Sequence, residues 1–237
     1  LVTSCQTAKE TENKSPKVVY FIVDGIPADV IRKLDPPVLR EISSVGGFTE
    51  AYVGGGKDSY SQSPTISAVG YNHLLTGTWT NKHNVWDNDI AAPNYNYKSL
   101  FRIAKESNPN LKTAVFSTWL DNRTKLIGEG LDATGMTSVD FHFDGLELDT
   151  VKYPHDNEAQ YIHLIDEAVS DSAASTIAQH GPDLTWVYLE FTDDMGHRFG
   201  DSPQFYDAIQ TADKQIGKVW QVIKEREAKF NEDWLII

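Results

Sequence analysis

The sequence predicts an α/β protein built on a mostly parallel central sheet with helices on both faces. Three observations carry that expectation: four short apolar runs rich in β-branched and aromatic residues, five longer stretches of helical spacing between them, and an aspartate close behind two of the runs. Strands that alternate with helices pair in parallel, because each crossover returns the chain to the same end of the sheet. At 237 residues with 40% hydrophobic content, the chain is long enough for one large domain with its own core.

Val18 to Val23 is the first apolar run, ending in Asp24-Gly25, and it reads as a buried strand entering a loop. Ala28 to Leu34 and Pro37 to Ser44 follow with helical spacing, and apolar Val69, Leu74 and Leu75 predict a helix that begins just after Ser67. Tyr97 to Ser107 is the next helix and Thr113 to Phe116 the second strand. Trp119 to Pro154 is the least regular region, rich in Asp, Gly and Thr, and reads either as an insertion that shapes a pocket or as plain surface loops. Beyond it come a helix over Glu158 to Gln179, a strand over Leu184 to Glu190 that runs into Phe191-Thr192-Asp193, and a helix over Pro203 to Lys229. Trp234 to Ile237 is a fourth apolar run with the character of a buried central strand. Ligands of such sheets sit at the carboxyl ends of the strands, which places Asp24 and Asp193 there, in loops directly after apolar strands.

The net charge of −13, from 34 acidic and 21 basic residues, argues against sequence-tolerant binding of nucleic acid. A phosphate-bearing substrate would need a local counter-charge, and a bound divalent cation supplies one. The chain has no apolar run of about 18 residues, so no transmembrane helix is expected. Leu1-Val2-Thr3-Ser4-Cys5 resembles the tail of a bacterial lipoprotein signal, and Cys5 is the one cysteine of the chain. Gln6 to Lys17 is polar enough for a flexible tether, so residues 1–16 read as a lipid-anchored lead into a domain over 17–237, facing an extracytoplasmic space. The alternative is an arbitrary start with one unpaired thiol. Asn13-Lys14-Ser15 and Asn122-Arg123-Thr124 match the glycosylation sequon, which carries no meaning in a bacterial protein.

Three constellations bear chemistry. Asp24-Gly25 after a strand is either a metal-binding turn or a turn alone. Ser67 at a helix start, beside free N–H groups and the positive end of the dipole, suits nucleophile activation and phosphate binding, or else is an N-cap serine. Asp193 and His197 in Asp193-Asp194-Met195-Gly196-His197 are ligand types that zinc accepts, or Asp193 caps the helix near Pro203. Gly54-Gly55-Gly56-Lys57 lacks the Ser or Thr and the first Gly of a phosphate-binding P-loop, with Asp58 and Ala51 at those places, and reads as a loop.

The order and spacing of these segments resemble the nucleotide pyrophosphatase/phosphodiesterase (type I phosphodiesterase) family of the alkaline phosphatase superfamily, from about Val18 to Ile237. The resemblance implies an alkaline-phosphatase-like fold and two divalent metal ions, taken as zinc, about 4 Å apart. Carried over by position, it assigns Asp24 to one metal and Asp193 with His197 to the other. Ser67, nine residues before Thr76-Gly77, becomes the nucleophile that forms a covalent phospho-enzyme, with Thr65 as the fallback, and Asn88 a phosphate contact. Val69 and Asn84 stand where many relatives have Pro and Gly.

In the family, a strand like Trp234 to Ile237 leads into an Asp-His-Gly segment that completes a metal site, and a later His completes the other. The expectation is therefore an N-terminal portion that needs a further C-terminal segment, truncated after the strand at 234–237 and inactive alone. The implied function is hydrolysis of phosphate diesters or nucleotide pyrophosphates, with a phosphomonoesterase or phosphonate hydrolase as the alternative. A non-catalytic anchored binding protein with an incomplete metal site is the alternative of another class. Sulfate esters are disfavoured, since the one Cys is at the terminus. His73 and His83 are expected to pack or hydrogen-bond rather than bind metal.

Overall fold

The computed structural model describes residues 14–237. Cys5 and residues 6–13 of the expected tether, Asn13 among them, lie outside the described residues.

Five strands form one all-parallel sheet in the order β3-β2-β4-β1-β5. They are β1 (Ser15–Val23), β2 (Thr113–Ser117), β3 (Phe141–Phe143), β4 (Leu184–Leu189) and β5 (Glu232–Ile236). Strand alternation divides the core. Tyr20, Ile22, Val115, Trp186 and Tyr188 point to one face and into a first cluster with Val69, Leu75 and Phe101. Val19, Ala114, Phe116, Val187 and Leu189 point to the other and pack with Ile165, Val169, Ile177, Val219 and Ile223. Because both faces are covered, β2 and most of β4 read as continuous apolar runs rather than as alternating ones. Each large side chain buried there contributes about 1.5–3 kcal/mol relative to exposure.

On the first face lie α3 (Ser67–Thr76), α4 (Thr80–His83) and α5 (Leu100–Ser107). On the second lie α2 (Pro37–Val45), α6 (Gln160–His180) and α8 (Pro203–Lys229). A short α1 (Ala28–Leu34) and α7 (Phe191–Phe199) share a third cluster built on Val30, Met195, Phe205 and Ile209. Local chemistry sets several ends. Ser202 caps α8 by accepting from Phe205 N–H at 3.3 Å, with Pro203 at the first helical position. Gly181 closes α6 in a left-handed conformation.

Four expectations are corrected. Among the described strands β5 pairs on one side only, with β1, and Leu235 is 55% exposed, where the sequence predicts a buried central strand. Its apolar residues face neighbours on one side only. It is fixed by Arg226 of α8, whose guanidinium donates two bonds to the buried Glu232 carboxylate. Second, β1 starts at Ser15, inside the expected tether, because Ser15 and Pro16 pair with Glu232 and Asp233 through backbone geometry that needs no apolar side chain.

Third, region 119–154 contains a strand of the sheet, β3, plus a π-helical turn over Asn122–Ile127. Arg123 pins the region by ion pairs to Glu129 and the buried Asp144. Asn122 of the second sequon is fully buried and donates to Ser117 Oγ at 3.0 Å, so no glycan fits there. Fourth, Asp193 and His197 stand on helix α7 and not in a loop.

Candidate functional site

The carboxyl ends of β1 and β4 lie side by side, and the site is assembled where their two following segments meet. Asp24 continues the pairing of these strands through its N–H to Leu189 O at 3.1 Å. Its own carbonyl accepts from Thr192 Oγ1 at 2.6 Å, so the start of α7 is stitched to the end of β1. The chain then turns at Gly25, whose φ of +76° is left-handed and whose N–H donates to Asp24 Oδ1 at 2.9 Å.

Ser67 reaches the same point from α3. Its hydroxyl donates to Asp24 Oδ2 at 2.9 Å. Ser67 is the first residue of the helix, and the N-cap position belongs to Ile66, which makes no side-chain cap bond. The N-cap reading of Ser67 is thereby corrected, and its hydroxyl is free to serve Asp24. Thr65 is exposed and precedes the helix. Asn88 comes to the same helix end, where its Oδ1 accepts the Ala68 N–H at 3.0 Å. That bond occupies one of the N–H groups expected to face a phosphate.

Asp193 lies in the first turn of α7 and His197 in its last, one helical turn apart on one face, with His197 Nε2 3.5 Å from Asp193 Oδ1. The imidazole is 80% exposed. Burial, and then the charge of Asp24, push the Asp193 carboxyl up to about 6, opposed by His197. Asp193 does not cap α8, since Ser202 does. Two pairs thus stand at the strand ends, Asp24 with Ser67 and Asp193 with His197, near enough for the charge of Asp24 to act on Asp193. Carboxylate, hydroxyl and imidazole are donor types that a divalent cation accepts, and its charge would offset the repulsion between Asp24 and Asp193. Among the described residues, no group of three or more His, Cys, Asp or Glu stands close enough to hold a metal ion.

Behind this front lie acids that the sequence patterns do not mark. Asp166 of α6 is buried and accepts from Thr118 Oγ1, from Phe191 N–H at 2.9 Å and from Glu190 N–H at 3.1 Å. It thus caps the start of α7 from a different helix, which explains why the segment after β4 is helical. Burial pushes Asp166 up to about 7, against those bonds. Burial and then the charges of Asp166, Asp24 and Asp193 push Glu190 up to about 8. Tyr71, one turn after Ser67, also donates to Asp24 Oδ2. The interval of four residues on a helix was a usable signal for Tyr71, whereas nothing local to Asp166 announced its role. His73 and His83 are buried away from Asp24, His73 against Thr80 Oγ1 at 3.1 Å.

The sequence matches the Type I phosphodiesterase / nucleotide pyrophosphatase family over residues 18–237. No curated protein matches it. Among solved structures, murine ectonucleotide pyrophosphatase / phosphodiesterase 5, as an inactive variant in complex with AMP, aligns with a TM-score of 0.59 and 16% identity, over 93% of this chain and 56% of that one. The human protein of the same name gives 0.57 and 16%, over 93% and 55%. Phosphonoacetate hydrolase from Sinorhizobium meliloti in complex with phosphonoacetate gives 0.55 and 12%, over 89% and 54%. At these identities the likeness shows the fold, which is alkaline-phosphatase-like. The chain spans little more than half the length of these structures.

Proposed function

The chain belongs to the type I phosphodiesterase / nucleotide pyrophosphatase family, and from that premise we propose that it carries the nucleophile of a metal-dependent hydrolase of phosphate diesters or nucleotide pyrophosphates. The observation that supports this most is the Ser67 hydroxyl, held 2.9 Å from Asp24 Oδ2 at the first residue of α3.

In this reading Ser67 Oγ attacks phosphorus while the bond from phosphorus to the leaving oxygen breaks, giving a serine ester whose phosphorus keeps the other substituent of the diester, and water later releases that monoester and frees Ser67. The Ser67 proton points at Asp24 Oδ2, so an acceptor is in place as the oxygen attacks. The first turn of α3 presents its positive end to the phosphoryl oxygens. Asn88 Oδ1 is taken by Ala68 N–H, which leaves its amide N–H groups for a phosphate oxygen. Two divalent metal ions, read as zinc, would be held by Asp24 with Ser67 and by Asp193 with His197, and when bound they lower the pKa of a hydroxyl and offset phosphate charge.

A phosphonate substrate is the second reading, favoured by the fold shared with a phosphonoacetate hydrolase. The test is a panel of bis-p-nitrophenyl phosphate, p-nitrophenyl phosphate and phosphonoacetate, assayed on the natural protein with zinc and after chelation. Zinc-dependent preference for the diester is expected. Preference for phosphonoacetate or the monoester moves the substrate class, and turnover of none of them by zinc-loaded protein overturns the enzyme reading in favour of an anchored binding protein. Lipidation of Cys5 and an extracytoplasmic location belong to the same proposal. Mass spectrometry of the membrane fraction should find a diacylglyceryl group on Cys5, and an unmodified thiol in the cytosol would sink that part.

A further inference from the structure

Asp24 takes two hydroxyl donors on one oxygen. Ser67 Oγ and Tyr71 OH both donate to Oδ2, while Gly25 N–H holds Oδ1 at 2.9 Å. Both side chains come from α3, four residues apart and on one helix face. Tyr71 is buried, and its hydroxyl lies 3.1 Å from the hydroxyl of Tyr188 on β4, itself buried. A phenol carries one proton. With that proton committed to Asp24, the Tyr71 oxygen is left to accept from Tyr188, so the two tyrosines form a short relay of bonds that ends on the carboxylate.

The ring is held from three sides. Trp119 and Trp186 stand edge-on to it, each with its ring centroid 6.5 Å away, and Tyr188 is tilted against it at 5.1 Å. A hydroxyl on a ring packed in this way has little freedom to leave its acceptor, unlike Ser67, whose Oγ turns about a single bond. Removing the Tyr71 hydroxyl would leave Oδ2 with Ser67 alone, a donor that gives up its proton when it attacks a substrate.

We propose that Tyr71 is a positioning residue: its hydroxyl, backed by Tyr188, orients the Asp24 carboxylate and thereby sets the affinity of the site for a divalent cation. The proposal rests on the reading of Asp24 as a metal ligand. Outer partners of ligating carboxylates act in this way, and their loss costs about 10–100-fold in metal affinity.

The test is a cobalt(II) titration of the protein followed by visible absorption, with the unfolding midpoint of the metal-free protein recorded alongside. Tyr71→Phe keeps the ring and removes only the oxygen. Its cobalt affinity should fall by about 10–100-fold, and Tyr188→Phe should lower it less, in the same direction. Tyr20→Phe is the control: Tyr20 stacks on Trp186 in the same cluster, with ring centroids 5.7 Å apart, but its buried hydroxyl has no partner among the described residues. It should leave the affinity unchanged. Wild-type affinity in Tyr71→Phe, or an equal loss in Tyr20→Phe, overturns the proposal. Should Tyr71→Phe not fold, unchanged affinity in Tyr188→Phe does the same. Failure of the wild type to bind cobalt at all would instead remove the ligand reading of Asp24, and the proposal with it.

Discussion

Gly25 and Asp193 approach so closely that a Cβ on Gly25 would stand 2.6 Å from both the Cα and the Oδ1 of Asp193. The glycine also takes a left-handed φ of +76°. Gly25→Ala therefore meets backbone on one side and conformational strain on the other, and the ends of β1 and β4 must move apart. A loss of about 1–3 kcal/mol is expected in urea unfolding, and the hydrolysis proposed above should fall with it. Wild-type stability in this variant would mean that the close approach is not kept in solution.

Ser67→Ala removes the hydroxyl that faces Asp24 but no core contact, since the side chain is only partly buried. Turnover should be abolished while the unfolding midpoint of the metal-free protein holds. Thr65→Ala, at an exposed position before the helix, should keep turnover. The opposite pattern, activity surviving in Ser67→Ala and lost in Thr65→Ala, would move the nucleophile to Thr65.

Asp166→Ala leaves the N–H groups of Glu190 and Phe191 and the Thr118 hydroxyl without their shared acceptor. Each buried group left unpaired costs about 1–3 kcal/mol. Amide hydrogen exchange should accelerate in α7 before it does in β4, because the cap acts on the helix and the strand is held by its neighbours. Unchanged exchange over Phe191–Phe199 would show that α7 does not depend on Asp166.

His73 and His83 predict an acid-labile core. Burial holds His73 down to about 4, and burial with the neighbouring His73 does the same to His83, against an ordinary value of 6.5. Between pH 6.5 and 4 the unfolded chain takes up protons that the folded chain refuses, so these groups lower stability as the pH falls through that window. Each tenfold loss of proton affinity on folding corresponds to about 1.4 kcal/mol. Asp166, Glu190 and Asp193 are raised rather than lowered and act in the opposite sense, so the histidine contribution is read as a difference from His83→Gln. Wild type should lose stability relative to this variant on acidification. NMR titration of either ring with a midpoint near 6.5 would refute the burial argument.

Much of the fold was legible because its signals are local. α1 and α8 fall where their apolar spacing puts them, and α8 carries Ser202 and Pro203 at its start. Strand alternation in β1 and the apolar runs of β2 and β4 announced a sheet covered on both sides. β3 was not legible, since three residues around an exposed His142 hold too little pattern to stand apart from a loop. α7 was not legible either. Asp193-Asp194-Met195-Gly196 has the composition of a turn, and it is helical because Asp166, from another helix, supplies the missing cap.

The order and spacing of the motifs, matched position by position to the family they resemble, singled out Asp24, Ser67, Asn88, Asp193 and His197; the residues taken by themselves left turn and cap readings open. Tertiary structure alone decided what each of them touches. That Asp24 serves both Ser67 and Tyr71, that Asn88 takes the N–H of Ala68, and that Gly25 lies against Asp193 all depend on partners 20 to 168 residues apart. It also buried Asn122, which nothing in its own sequence indicates. The physical reason is one of range: helical period, strand alternation and turn chemistry act within a few residues, whereas burial and side-chain pairing are fixed only when whole elements pack.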